Sequence, residues 1–210
     1  MTRKFILTCG LAVGLLSTTF AQKDPKAASV LDAMSKRFQS LNAFGANFTY
    51  NAGTGEAYKG DVTVKGTKFR LKLAGQEVFN DGKTMSTYVK ETNEVNLQDY
   101  DGSSGDINPA KIYSIYRQGY NYKYLGEKKV GGQAVEVVEL TPEKKNTQVS
   151  KVQITVNKAD KSVKNWQITD KSGKRTTYTI TRFTPNPKVT DTFFVFDKAK
   201  YPGVEVVDLR

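Results

Sequence analysis

A chain of 210 residues with 32 Lys and Arg against 21 Asp and Glu, net charge +11, holds a single Cys and no His. The commonest general base and metal ligand are therefore missing, and the one thiol sits at position 9, so hydrolase triads and zinc sites are set aside. No stretch proposes Ser-Lys or paired-carboxylate chemistry in their place, no disulfide can form within the chain, and stability must come from packing and strand pairing.

Residues 1–21 read as a secretory signal peptide. Arg3 and Lys4 make a basic start, Phe5 to Leu16 an apolar run, and Thr19-Phe20-Ala21 a small-residue exit before Gln22. The run is too short for a membrane span. Ile6-Leu7-Thr8-Cys9-Gly10 faintly resembles a lipoprotein cleavage box, but most of the apolar run follows Cys9, so cleavage after Ala21 is the preferred reading. It removes the only Cys and two of the bases, leaving a charge of +9 on residues 22–210. A basic surface suits nucleic acid, anionic lipid or an acidic partner. Export argues against nucleic acid, and most of the lysines read as wet strand faces and protected edges.

From Asp24 to Leu41 apolar residues recur about every 3.6 positions, with Ala27, Leu31, Met34, Phe38 and Leu41 on one face. Asp24-Pro25 supplies an N-cap followed by Pro at the first helical position. This amphipathic helix needs an apolar partner. A strand through Phe48 and Tyr50 follows, then a Gly-rich turn. Tyr58 to Leu97 reads as an antiparallel meander with one dry face. Val62 and Val64 alternate with Asp61, Thr63 and Lys65; Phe69, Leu71 and Leu73 alternate with Lys68, Arg70 and Lys72. Turns fall at Gly66, Ala74-Gly75 and Asn80-Asp81-Gly82, and a third run continues through Met85, Tyr88, Val95 and Leu97. The dry side of this meander is the expected seat of the helix.

Asp99 to Asp106 alternates acids with Gly, yet lacks the later Glu of a calcium loop and reads as solvated surface. Asn108-Pro109 is expected to cap a short second helix, Ala110 to Gln118, with Ile112, Ile115 and Tyr116 on one side and Gly119 as its stop. Strands return through Tyr122 to Leu125, Ala134 to Leu140, Val152 to Val156, Val163 to Ile168, Thr176 to Phe183 and, last, Phe193 to Phe196. Nothing marks a second domain, so residues 22–210 form one. Ten or eleven short strands exceed what a twisted open sheet usually holds without curling, in about the size range where sheets close on themselves. The expected class is α+β, mostly antiparallel β: a curled, incomplete β-barrel covered by the N-terminal amphipathic helix and the short second helix.

Periodicity does not separate a solid core from an apolar cavity, because both are lined by the same residues. A resemblance bears on the choice. Leu41-Asn42-Ala43-Phe44-Gly45-Ala46-Asn47-Phe48, Gly60 to Lys65, Phe69-Arg70, Asp81-Gly82-Lys83-Thr84 with Tyr88, Leu140-Thr141-Pro142, Asp170 to Gly173, and Phe196 with Pro202 to Val207 resemble, in order and spacing, the landmarks of the periplasmic outer-membrane lipoprotein carrier family, LolA. The likeness covers most of residues 22–210. Two positions depart from it: the family's Arg-Pro pair after the second strand is Gly66-Thr67 here, and its Trp after the aspartate-glycine turn is replaced near Met85-Ser86. Lid locking by that arginine does not carry over.

The resemblance implies a periplasmic, monomeric, non-enzymatic carrier without cofactor. It implies uptake of acylated lipoproteins from an inner-membrane lipoprotein-releasing transporter, and delivery to an outer-membrane acceptor. Leu31, Met34 and Phe38 are the expected lid residues, with Leu41 among the residues of lid and cavity together. Phe48, Val62, Val64, Phe69, Leu71, Leu73, Ile112, Ile115, Tyr116, Val152, Ile154 and Trp166 are the expected cavity lining. Burial of acyl chain is worth about 0.8 kcal/mol per methylene. Three fully buried chains would then pass the ceiling of roughly 18 to 21 kcal/mol on noncovalent affinity, so a releasing carrier is expected to bury them partly. The alternatives on this fold are an envelope-stress sensor and an outer-membrane-anchored receptor, the latter requiring a lipidated Cys9.

Overall fold

A computed structural model describes residues 23–53, 55–102, 108–117, 119–144 and 146–210; the expected signal peptide with Cys9, and residues 103–107 of the acid-rich loop, lie outside them. Helix α1 (Pro25–Gln39) begins where the sequence places it. The Asp24 carboxylate accepts from the amides of Lys26 and Ala27, at 2.8 and 3.3 Å. Its other oxygen accepts from the amide of Tyr124, at 2.8 Å, and this backbone contact leads the causes that hold its pKa below the usual carboxylate range. Lys36 and Arg37 sit in the last turn, where cations complement the helix dipole.

Among the described residues twelve strands follow: β1 (Phe44–Asn51), β2 (Ala57–Lys65), β3 (Lys68–Leu73), β4 (Gln76–Asn80), β5 (Thr84–Val89), β6 (Glu94–Asp99), β7 (Tyr120–Val130), β8 (Gln133–Pro142), β9 (Val149–Asn157), β10 (Val163–Asp170), β11 (Arg175–Pro185) and β12 (Glu205–Asp208). They make one sheet in the order β12-β6-β5-β4-β3-β2-β1-β11-β10-β9-β8-β7, antiparallel throughout except that β12 runs parallel to β6. Two meanders, β1 to β6 and β7 to β11, are thus joined where β1 pairs with β11. The sheet curls but does not close, as expected of an incomplete barrel: β7 and β12 remain edges. β7 carries Lys123, Lys128 and Lys129 and a register break between Tyr124 and Gly126, both of which discourage a further strand.

Several elements depart from the sequence reading. Helix α1 lies over β7 and β8 rather than over the β2–β5 meander. Its N-cap is tied to β7 through Tyr122 and Tyr124, and Lys26 reaches the buried Glu136 of β8, at 3.5 Å. The second helix is reduced to turns and a single 3₁₀ turn, Ile115–Arg117. A segment this short nucleates poorly, and the ends of Tyr116 and Arg117 are committed to side chains of α1 instead. Phe193 to Phe196 is no strand: Asp191–Phe194 forms a 3₁₀ turn, and the last strand is β12.

The outer face of the meander is not uniformly wet. Tyr88 and Val95 are cross-strand partners, as are Phe79 and Ser86, on the face opposite Met85 and Val78. The C-terminal segment folds over this outer face, with Phe194 fully buried and Phe196 and Tyr201 packed on Phe79 and Tyr88. Arg70, expected in water, lies between the rings of Phe79 and Phe193, 4.6 and 4.8 Å from their centroids, and is paired with Glu77. Tyr201 donates to the same carboxylate at 2.8 Å. Burial of the phenol and this hydrogen bond push the Tyr201 pKa up to about 12.

Candidate functional site

The inner face of the sheet divides into two parts. Under α1, the side chains of Leu31, Met34, Val138, Leu140, Ile154 and Val156 have no or almost no exposure and belong to one packed cluster. Between the two meanders the same face is hollow. A cavity with about 180 Å³ in which a water-sized group can be centred opens there. Its walls are Phe44, Ala46 and Phe48 of β1, Val62 of β2, Leu71 and Leu73 of β3, Val163, Trp166 and Ile168 of β10, and Tyr178, Ile180 and Phe183 of β11. Phe38 at the end of α1, with Pro109, Ile112 and Tyr113 of the turn segment, forms the cover.

Strand alternation produces these walls. Val62 faces Leu71 across the β2–β3 ladder, and Gly60 faces Leu73. Position 60 must be Gly: a Cβ there would stand 2.5 Å from the ring of Phe48 and 2.8 Å from the Lys72 carbonyl oxygen. The missing side chain lets the Phe48 ring lie across the strand and form part of the wall.

The cover is tied down without the family arginine. The Tyr116 hydroxyl donates to Asp32 Oδ1 at 2.5 Å, and Arg117 Nη2 donates to the buried Ser35 hydroxyl at 3.3 Å, both on α1. Tyr113 stacks on Phe38, centroids 5.4 Å apart and planes within 3°. Phe44 and Phe183 complete the cluster edge-on to Phe38, at 5.1 and 5.6 Å. Burial pushes the pKa values of Tyr113 and Tyr116 upward, so both phenols stay neutral at ordinary pH.

A second recess shares Leu71, Leu73 and Tyr178 with the cavity and continues to Tyr50, Ala74, Gln76 and Val78. Among the described residues, neither lining contains a charged side chain. Among the described residues, no group of three or more His, Cys, Asp or Glu could hold a metal ion, and no helix is long and apolar enough to cross a membrane.

Of the residues proposed from sequence as lid and lining, Phe38, Phe48, Val62, Leu71, Leu73, Ile112 and Trp166 border the cavity, Phe38 and Trp166 from the edge of the packed cluster. Leu31, Met34, Val64, Phe69, Tyr116, Val152 and Ile154 lie in the packed cluster, and Leu41 and Ile115 pack against it; none of these nine borders the cavity. Sequence reasoning did not single out Phe44, Ala46, Val163, Ile168, Tyr178, Ile180 or Phe183 as lining. The signal was available for β11: Tyr178 and Ile180 alternate with Thr177 and Thr179.

Comparison with known proteins is consistent with this geometry. The sequence family described as "Outer membrane lipoprotein carrier protein LolA" matches residues 39–197. The fold is shared with an uncharacterised conserved protein from Thermus thermophilus, at TM-score 0.62 and 13% identity, over 87% of this chain and 99% of that one. MucB shares it at TM-score 0.52 and 15% identity, over 83% of this chain and 64% of that one, so this chain spans less than two thirds of MucB. LprF from Mycobacterium bovis aligns at TM-score 0.49 and 16% identity, over 80% and 96% of the two chains. No curated protein sequence matches.

Proposed function

The chain belongs to the outer membrane lipoprotein carrier protein LolA family, and from that premise we propose that it is a periplasmic carrier that binds lipoprotein acyl chains and moves them from the inner to the outer membrane. The observation that supports this reading is the cavity between the two meanders, whose described lining is uncharged and which is roofed by Phe38 and Tyr113. An apolar chain entering it exchanges water for aliphatic and aromatic contacts, and no charged group of the described lining has to lose its hydration. The construction of the roof keeps binding reversible: among the described residues two hydrogen bonds and one ring stack hold the turn segment to α1, and their net worth is a few kcal/mol at most. In this reading residues 1–21 direct export and are removed, and residues 22–210 act as one domain without catalytic chemistry. The inner-membrane releasing transporter and an outer-membrane acceptor are its partners.

The test is transfer. The delipidated protein is incubated with inner-membrane vesicles bearing an acylated lipoprotein, and the soluble fraction is then offered to outer-membrane vesicles. Acylated cargo should become soluble in complex with the protein and then move to the acceptor membrane, whereas its non-acylated form should make no complex. Equal capture of acylated and non-acylated cargo would contradict the proposal.

A further inference from the structure

We propose that the free edge of β12 receives one extended segment of a partner protein as an added strand, with apolar side chains on the outer face and Lys or Arg side chains on the inner face. The proposal goes beyond the carrier reading and does not depend on it.

The two edges of the sheet are finished differently. At β7 the backbone groups that point away from β8 are already engaged. The Tyr122 carbonyl accepts from the Asp24 amide at 3.2 Å, and the Tyr124 amide donates to the Asp24 carboxylate at 2.8 Å. Helix α1 thus closes that edge with its own N-cap, and Lys128 and Lys129 follow beyond the register break. β12 has no such closure. The amides of Glu205 and Leu209 donate to the carbonyls of Asn93 and Leu97, at 3.0 and 2.8 Å. Alternation then turns the amides and carbonyls of Val206 and Asp208 to the open side. Among the described residues no strand lies beyond them and no group pairs with them. A row of this kind can accept an extended chain by strand addition.

Side chains select that chain. Val206 is in register with Val95, the partner of Tyr88, and so stands on the outer face. There it borders a cleft whose apolar part is Leu97, Phe194, Val195 and Phe196. Val206 and Val195 are 39% and 45% exposed, and an apolar side chain of the added strand beside Val206 would remove that surface from water. On the inner face Glu205 lies directly beside Glu94. Like charges in register oppose each other, and among the described residues neither carboxylate has a Lys or Arg partner. A Lys or Arg of the added strand would reach both. The same acids turn away a second copy of this chain, because two β12 edges side by side would set acid against acid.

Fluorescence anisotropy with labelled nine-residue peptides, read together with amide hydrogen exchange by NMR, tests this on the purified protein. The probe alternates Val and Lys. Its controls alternate Val and Glu, alternate Ser and Lys, or carry an N-methyl group on every backbone amide of the Val-Lys chain. One Val-Lys peptide should bind per protein and slow exchange of the Val206 and Asp208 amides at least about tenfold, with a smaller change at Glu205 and Leu209. Each control should bind at least about tenfold more weakly. Glu205 is exposed, so changing it disturbs no packing. Glu205→Lys should weaken the Val-Lys peptide at least about fivefold and Glu205→Gln by less, whereas Lys128→Glu on β7 should leave its affinity unchanged. No binding of the Val-Lys peptide would overturn the proposal. So would equal binding of its N-methylated form, unchanged affinity in Glu205→Lys, or a free protein whose Val206 and Asp208 amides are already protected by self-association. None of these outcomes bears on acyl-chain binding.

Discussion

The half of the inner sheet face under α1 and the half between the two meanders are built from the same residue types, yet one is solid and the other hollow. Leu31, Met34, Leu140 and Ile154 have no exposure in the first; Val62, Leu71, Ile168 and Ile180 border open space in the second. What differs is the cover. A four-turn helix brings a continuous apolar stripe down onto β7 and β8, and its side chains are buried against theirs. Over β1–β3 and β10–β11 the described residues offer only the end of that helix and a short run of turns, and their rings roof the space without filling it. A cavity here results from too little cover for too much curled sheet, not from a special lining chemistry.

That contrast is broken most sharply by equivalent changes on its two sides. Met34→Ala should destabilise the fold by about 2 to 5 kcal/mol, read as a shift of the urea midpoint, because the space it leaves is enclosed by packed neighbours. The protein that remains folded should bind an acyl probe as before. Leu71→Gln should do the reverse. Its side chain packs against the core in part and faces open space for the rest, so the midpoint should move less than in Met34→Ala. Probe affinity should fall at least tenfold, since a polar group now faces the chain. If both variants lost stability and binding together, the two halves would be a single core.

Loosening the cover comes next in size. Tyr116→Phe removes the donor to Asp32 and should cost about 1 kcal/mol. Its clearer mark should be kinetic: bound probe should exchange severalfold faster in stopped-flow, with a smaller change at equilibrium. A variant that exchanges no faster would mean that the turn segment is not what confines the chain.

The smallest effect is expected on the outer face, away from the cavity. Tyr201 is an acid whose pKa is raised in the folded protein to about 12, first by burial and then by its bond to Glu77. Its neutral form is the one the fold favours. That contribution is intact below pH 10, where the unfolded phenol begins to ionise, and is lost as pH climbs toward 12. Urea midpoints of the wild type and Tyr201→Phe should therefore draw together between pH 10 and 12, with acyl binding at neutral pH equal in both. A difference that stayed constant across that range would remove Tyr201 from the C-terminal contacts.

The strands were legible in the sequence because period-two alternation is local. Val62, Leu71 and Leu73 fall on one face whatever lies above them, and the N-cap of α1 is written in Asp24-Pro25. The direction of α1 across the sheet was not legible, since it depends on contacts between Asp24 and Tyr124 and between Lys26 and Glu136, far apart in the chain. For the same reason Leu31 and Met34 could not be told from Phe38: all lie on one helical stripe, but only its last turn reaches the hollow half. The covered outer face was hidden too. Alternation assigns Arg70 to the side away from Leu71, but says nothing of the C-terminal rings that fold over it.

Trp166 gives the most direct test of whether the hollow half holds an acyl chain. It is the one Trp of the chain and sits in the cavity wall. Titration of the delipidated protein with a fatty acyl ester brominated near mid-chain should quench its emission saturably, and an unbrominated ester of the same length should restore it by competition. Leu71→Gln should shift that curve to higher concentration, and Met34→Ala should leave it in place. Saturable binding of the brominated chain without quenching would put the ligand elsewhere on the protein and contradict the account.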